Sequence, residues 1–441
     1  MLRRKIIPII VFVLLLAGGC DVLDQTPKQS ISSDQVFTSA ENVRAVLAGA
    51  YSGLQEQVPF HYRMSTLAGE NAKHTGSYPS WRVVDNHNLL SDNAEARDMW
   101  NGYYSIILRA NNLIKNTNNV EEAGFADEDK AAIIAEAKII RAISYHALVR
   151  WFGGVPLVLE PIEEVDESIY VSRASEQEVY DQIITDLTDA VATLGDNGSA
   201  GATTATGLAA SALLSRVYLY TEQYDLAENA ASTVIGSGKY TLSSNYEDIF
   251  AGSSSGEIFT LLYTSEDDNS LAFYAFPSDA GGRYEYAPTS DYQSSFESGD
   301  ERKDVNIGIV AGDLTITKYF RTTDGDDDIP IIRLGEVYLN RAEARVKKSS
   351  KDIDGAMDDV EEVRNRAGLS RKSASSPPDA LDIILQERAH ELFAEGHRWF
   401  DLRRFGVAQQ VLGISNTDNL LWPIPQSQME VNPKLEQNPG Y

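Results

Sequence analysis

The chain has 441 residues, 43% of them hydrophobic, and carries 65 Asp plus Glu against 38 Lys plus Arg, a net charge of −27. That length supports a large core, as one big domain or two to three modest ones. So acidic a surface repels phosphate backbones and anionic headgroups, which argues against nucleic acid as a partner and leaves neutral ligands open.

The N-terminus opens with Arg3, Arg4 and Lys5, followed by an apolar run from Ile6 to Ala17 broken only by Pro8. The run fits the roughly 7–15 apolar residues of a signal-peptide core and falls short of the ~20 needed to cross a bilayer as a helix. Ala17, Gly18 and Gly19 are small, as cleavage requires, and the chain's one cysteine, Cys20, follows at once. An ordinary secretory site needs no thiol, so this juncture resembles a bacterial lipobox, with residues 1–19 removed and Cys20 acylated. Position −3 is Ala17, where lipoproteins more often have Leu; a plain signal peptide with a chance cysteine is the alternative. Each buried methylene of an acyl chain contributes about 0.8 kcal/mol to membrane binding. Beyond Cys20 there is no cysteine for a disulfide, a thiolate metal site or a thiol nucleophile.

Residues 20–40 read as a polar tether and the start of the body, with a helix start near Ser39. The stretch 41–235 reads as a helical region. In 94–116, Met99, Tyr103, Ile106, Ile107, Ala110 and Ile114 recur at helical spacing; in 129–152, Ile133, Ala137, Ile140, Ala147 and Trp151 do so, before a stop at Gly153-Gly154 and Pro156. Residues 209–235 read as helix, short turn, helix, with Tyr218, Tyr224 and Ala227 placed as in a tetratricopeptide repeat. Residues 333–368 have the same shape, with Ala344 and Ala356 as close-approach positions. Residues 129–152 with 175–194, and 94–116 with a neighbour, fit the pattern more loosely. Such units cannot bury their faces alone and must stack. The expected fold is mainly α, a tetratricopeptide-like scaffold with an irregular, loop-rich face and short β elements. Two segments lack helical period yet are too aromatic for disorder: 58–93, and 255–304 within a loop-rich insert at 236–330, where "EIFTLLY" suggests a short strand.

Tests for chemistry come back weak. "GSSSG" (252–256) matches G-x-S-x-G, but that motif needs a strand before and a helix after it. Asp324, Asp326 and Asp328 alternate as a calcium loop would begin, yet Ile329 and Gly335 stand where an EF-hand needs Gly and Glu. A solvated acidic turn is the competing reading. His390 and His397 are seven apart, about 10 Å along a helix, too far to share one metal. Paired carboxylates in so acidic a chain are unspecific.

The end of the chain, 331–441, is the most distinctive part. Glu387, Glu391 and Glu395 recur every four residues, as on one face of a terminal helix, and like charges at that spacing need cations. Arg388, Arg398, Arg403 and Arg404 lie nearest in sequence. Pro423, Pro425, Pro433 and Pro439 fix an extended strap, with Trp422 expected to be buried.

The blocks "ERAHELFAEGHRWFDLRRFG" and "LWPIPQSQMEVNPKLEQNPGY" resemble the end of the SusD/RagB family of outer-membrane lipoproteins. "DMWNGYYSIILRANNLI", "AEAKIIRAISYHALVRWFGGVPLV" and "IPIIRLGEVYLNRAEA" are similar to its internal blocks, in order along the chain. The resemblance implies a lipid-anchored, surface-exposed protein on a Bacteroidetes-type outer membrane. It would bind glycans or other nutrients without cleaving them and pass them to a SusC-like TonB-dependent transporter, with no cofactor. Asp21, an inner-membrane retention signal in some enteric bacteria, would instead accompany surface export. Ligand residues vary within the family and transfer poorly. A sugar site wants aromatic faces with Asn, Asp or Arg beside them. Tyr62, Tyr78, Trp81, Arg82 and Asn88 qualify in the first irregular segment, and Tyr274, Arg283, Tyr284, Tyr286 and Tyr292 in the second. The rivals are a lipid-anchored hydrolase and a helical-repeat adaptor that binds only protein.

Overall fold

A computed structural model describes residues 33–161, 167–252 and 255–441; the leader, Cys20 and part of the GSSSG turn lie outside them. In chain order the elements are α1 (Ala40–Leu67), β1 (Ala72–His74), α2 (Pro79–Asp85), α3 (Ala94–Asn116), α4 (Asp127–Phe152), α5 (Glu176–Leu194), α6 (Gly207–Tyr220) and α7 (Tyr224–Gly236). The insert adds β2 (Glu257–Leu261), α8 (Leu271–Ala275), β3 (Tyr286–Pro288), α9 (Ser290–Ser295), α10 (Arg302–Asn306), β4 (Ile307–Val310) and β5 (Asp313–Ile316). The chain then runs through β6 (Ile329–Arg333), α11 (Leu334–Lys347), α12 (Ile353–Arg366), α13 (Pro377–Glu391), α14 (Arg398–Arg404), α15 (Ala408–Leu412) and α16 (Gln426–Val431).

The helices stack in succession: α3 on α4, α4 on α5, α5 on α6, α6 on α7. The insert loops out, and the chain re-enters with α11 against α7, then α12 and α13. Small residues set the close approaches. Ala227 and Ala344 are fully buried and meet Leu219 where α6, α7 and α11 converge, and Ala356 is equally buried on α12. Across that junction Arg216 of α6 grips Glu336 of α11 with two 2.6 Å bonds. The core-facing positions expected on α3 and α4 are buried, apart from Ile114, which is half-buried. Three two-stranded antiparallel ribbons stitch the irregular side: β1–β3, β2–β6 and β4–β5. "EIFTL" is indeed a strand, paired with 329–333.

Residues 58–67 are not irregular, as the sequence suggested, but the second half of α1, which runs through Pro59. Proline inside a helix leaves the carbonyl four residues back without its donor. Here that carbonyl belongs to Gln55, and the Tyr263 hydroxyl donates to it at 2.8 Å. At the other end of the chain the expected single helix is two. α13 stops at Glu391, and Ala394 and Gly396 take positive φ (58° and 81°) before α14 begins. A Cβ at Gly396 would lie 2.7 Å from the Tyr62 ring, so both the conformation and the space require glycine. His390 and His397 therefore sit on different segments. His390 stacks on Phe296 (4.3 Å between rings), and His397 is buried near Glu336.

The break turns Glu395 back beside Glu387 and Glu391, and the cations that answer these three come from distant sequence. Arg333 and Arg366 each reach Glu391 at 2.5 Å, and Arg302 bonds Glu387 at 2.5 Å and Asp300 at 2.8 Å. Arg364 joins Glu387 at 3.0 Å; Arg333 and Lys318 hold Glu395 at 2.8 Å. The arginines nearest in sequence go elsewhere: Arg388 to Asp401, Arg398 to Glu70, Arg404 to Glu343 and Asp401, and Arg403 to the backbone carbonyl of Arg150. Burial opposes the charge on Glu391, but Arg366, Arg333 and Arg302 overcome it and hold its pKa well below the carboxylate range. The proline strap closes the body, but it is not extended throughout as expected: between Pro425 and Pro433 it forms α16. Trp422 is buried 4.0 Å from the Trp151 ring, and its N–H donates to the Trp151 carbonyl at 2.8 Å.

Removing one partner of a buried charge cluster strands the others, at a cost of about 3–5 kcal/mol. Glu391→Gln should lose stability of that order, read as a lowered urea midpoint at pH 7. Asp358→Asn, in an exposed pair with Arg371, should change it by less than about 1 kcal/mol.

Candidate functional site

The two aromatic segments converge through the β1–β3 ribbon, in which Ala72, Lys73 and His74 face Pro288, Ala287 and Tyr286. Glu285 clamps the junction. Its carboxylate accepts from the backbone N–H groups of Ser77 (2.7 Å) and Tyr78 (3.2 Å), the Ser77 hydroxyl (3.0 Å) and Arg283 Nε (2.9 Å). Burial pushes the Glu285 pKa up, but the bonds from Arg283, Tyr78 and Ser77 outweigh it and leave it below the usual range. A Cβ at Gly76 would fall 2.1 Å from a Glu285 oxygen, so this turn closes on the carboxylate only because residue 76 has no side chain.

Above the clamp lies an aromatic cluster. Tyr78 packs 5.1 Å from Trp81 and 6.1 Å from Tyr274, Trp81 packs 5.0 Å from Tyr274, and Phe273 meets Tyr274 edge-on at 5.2 Å. Arg283 lies 4.3 Å over the Tyr78 ring. Arg63 sits 4.9 Å from Trp81 and 4.7 Å from Tyr274, its Nη1 held by the Ser270 hydroxyl at 3.0 Å. Each aromatic pair is worth about 0.5–1.5 kcal/mol beyond area burial. Tyr78 and Tyr274 are half-buried, Phe273 and Arg283 exposed; Trp81 and Arg63 are buried. The exposed members form a face, and the buried ones are its support. Such a face offers flat apolar surface with hydroxyl and guanidinium donors beside it, the chemistry that a sugar ring with C–H and O–H groups matches.

The remaining candidates lie elsewhere. Tyr62 is buried on α1 and donates its hydroxyl to the Pro330 carbonyl at 2.7 Å. Tyr286 is buried beneath the cluster, 6.4 Å from Trp81, and donates to the Leu271 carbonyl at 3.2 Å. Tyr292 is buried against Phe393, 4.2 Å away. Tyr284 is half-buried, its hydroxyl donating to Leu314 at 2.9 Å. Tyr62, Tyr286 and Tyr292 are thus core residues and not part of the exposed aromatic face. Arg82 and Asn88 are exposed on and after α2 and make no ring contact with the cluster. Arg63, Phe273 and Glu285 were missed. Arg63 had one signal, a charge inside an apolar helical stretch, visible only if the helix is carried through Pro59.

The calcium reading does not survive. Asp324 is exposed, Asp326 faces Arg321 at 3.6 Å, and Asp328 accepts from the Tyr263 N–H at 3.0 Å. The buried Asp327 organises the loop instead, accepting from the Phe320 and Arg321 N–H groups at 2.8 Å each. Among the described residues no three His, Cys, Asp or Glu side chains converge as a metal site would, and no helix is long and apolar enough to cross a membrane. Glu257 is the carboxylate whose pKa rises to about 7, through burial and the neighbouring Asp328. It lies buried on β2, a strand that contributes no residue to the aromatic cluster.

Two family models match the chain: the SusD family over residues 285–419, and a family described as starch-binding and associating with the outer membrane over residues 21–219. A SusD-like protein, P38, of Formosa agariphila is 27% identical across 98% of both chains. A SusD superfamily protein from Bacteroides vulgatus superposes with a TM-score of 0.82 at 21% identity, covering 92% of this chain and all of the other. A laminarin-binding SusD-like protein superposes at 0.81 with 24% identity and the same coverage. The first irregular segment falls within one family match; the part of the second that holds Glu285 falls within the other.

Glu285→Ala should take the acceptor from the part-buried N–H groups of Ser77 and Tyr78, at about 0.5–1.5 kcal/mol each. The expected result is a lower urea midpoint together with rapid proteolytic cleavage between residues 75 and 80, where the parent resists.

Proposed function

The chain belongs to the SusD/RagB family, and from that premise we propose that it is a cell-surface glycan-binding lipoprotein that hands its ligand to a SusC-like TonB-dependent transporter. The observation that carries the reading is the exposed aromatic face of Tyr78, Phe273 and Tyr274 with Arg283 at its edge. One matching family is described as starch-binding, and a structural neighbour is named for laminarin binding, which supports a glycan as the ligand class.

Binding here proceeds without bond cleavage. The two carboxylates beside the platform are both committed: Glu285 to four donors, and buried Glu95 to the Ser80 hydroxyl at 2.6 Å. Glu285, held ionised by its four donors, supplies neither an acid nor an open base, so Glu95 has no second free carboxylate beside it for the paired roles glycoside hydrolysis requires. A sugar ring would lie along the tyrosines, with Arg283 donating to its hydroxyls. Lipid on Cys20 would hold the body at the membrane, and the acidic surface would keep it off anionic headgroups.

On native gels containing laminarin, the parent should be retarded, and the Tyr78→Ala/Tyr274→Ala double variant should run as in a gel without polysaccharide. Incubation should release no reducing ends. Product release would replace this reading with a hydrolase. Absence of retention across a polysaccharide panel, with a barrel protein co-purifying, would replace it with a protein adaptor. For the anchor, mass spectrometry of the mature N-terminal peptide should find Cys20 acylated, and protease added to intact cells should degrade the protein.

A further inference from the structure

A second cleft, of about 330 Å³, opens where the ends of α4, α5 and α6 meet α14. Its volume is at the small end of ligand pockets, enough for one or two sugar rings. The walls are aromatic: Tyr180 and Tyr220 stack 6.3 Å apart at 25°, and Phe400 lies 4.2 Å beneath the Arg150 guanidinium.

The cleft's electrostatics are unusual for so acidic a chain. Most buried arginines are answered by a carboxylate, but buried Arg150 and half-buried Arg403 make no ion pair among the described residues. Arg150 bonds the carbonyls of His146 (3.1 Å) and Gly396 (3.5 Å) and meets His61 Nε2 at 3.2 Å. Arg403 has one hydrogen bond, to the Arg150 carbonyl. Beside it, Arg404 pairs with Glu343 and Asp401 through its terminal nitrogens, while its Nε is buried with no partner. Desolvation holds Arg403 below the usual guanidinium pKa, as expected of a cation that lacks a close counter-ion. Uncompensated buried charge is costly, so a protein with this many carboxylates has reason to supply a partner. Here it leaves the position open. The lining carboxylates, Glu176 and Glu222, are exposed and stand outside ion-pair distance.

We propose that this cleft is a binding site for a sugar acid, separate from the aromatic platform. The carboxylate of a uronic acid would take the open N–H groups of Arg403 and the orphaned Nε of Arg404, and its ring would lie along Tyr220. The carboxylates at the rim disfavour ligands with a second negative charge and admit a monoanion. A neutral sugar could accept hydrogen bonds from the arginines but would bring no counter-charge, and so would gain less from them.

The test is isothermal titration of the detergent-solubilised full-length protein with glucuronate and, separately, glucose and acetate. Glucuronate should bind, and glucose and acetate should bind at least about tenfold more weakly, since charge-assisted bonds and the ring contact act together. Arg403→Gln should weaken glucuronate about tenfold or more, and Arg403→Lys should restore part of the loss. Because Arg403 also supports the Arg150 carbonyl, a surface variant supplies an independent readout: Glu176→Gln should tighten glucuronate by up to about fivefold. The Tyr78→Ala/Tyr274→Ala variant should keep full glucuronate affinity, so failure of the platform and failure of this cleft are told apart. Equal binding of glucose, undetectable binding at about 10 mM glucuronate, or affinity unchanged in both Arg403→Gln and Glu176→Gln would overturn the proposal.

Discussion

The structure depends on a buried set of charges centred on Glu391. Three carboxylates that would repel one another are drawn together by Arg302, Lys318, Arg333 and the α12 pair Arg364 and Arg366, from four places in the second half of the chain. Arg333 ends strand β6, Arg302 opens α10 and Arg366 ends α12, so the cluster ties the insert, the last helix pair and the C-terminal helix to one point. The Tyr246 ring beneath it takes cation contacts from Arg366 (4.8 Å) and Lys318 (5.2 Å), and its hydroxyl donates to the Glu391 carbonyl at 2.6 Å. Burial, helped by the neighbouring Arg333 charge, pushes the Lys318 pKa down to about 8 against the opposing pull of Glu395 and Glu391.

From that anchor the insert gains its shape. The loops between β2 and β6 have only short, two-stranded ladders among their described residues. They are fixed by single polar groups used more than once: Glu285 with four donors, Asp327 with two backbone amides, and Asn269 donating to the carbonyls of Gly325 and Asp327. A buried acceptor that satisfies several donors replaces the ladder bonds an irregular backbone lacks. The same economy leaves the upper rings free to face solvent, since Trp81, Arg63 and Tyr286 bear the packing load beneath them. Rigid support with an exposed aromatic rim is what separates a recognition surface from a core.

The scaffold was legible because its signals are local. Helical spacing on α3 and α4, and the small residues Ala227, Ala344 and Ala356, are written within single segments, and stacking follows from their inability to bury a face alone. The two aromatic segments were legible as candidates by composition. Their meeting was not, because β1 and β3 pair across more than 200 residues and each is three residues long. That residues 58–67 continue α1 was not legible, because the donor that replaces the bond missing at Pro59, Tyr263, is equally remote. The break at Ala394 and Gly396 had one local signal, Gly396 itself, set within a run of otherwise helix-compatible residues.

By itself the sequence determined the acidic charge, the helix pairs and the kind of side chain available to a ligand, since each is a property of neighbouring residues or of composition. Only the tertiary structure decided which cations neutralise Glu387, Glu391 and Glu395, which tyrosines are core and which are rim, and which arginines are left without a counter-charge. Those are questions of distance between residues far apart in the chain. Burial and charge pairing are settled by what the fold brings alongside, not by what stands next in line.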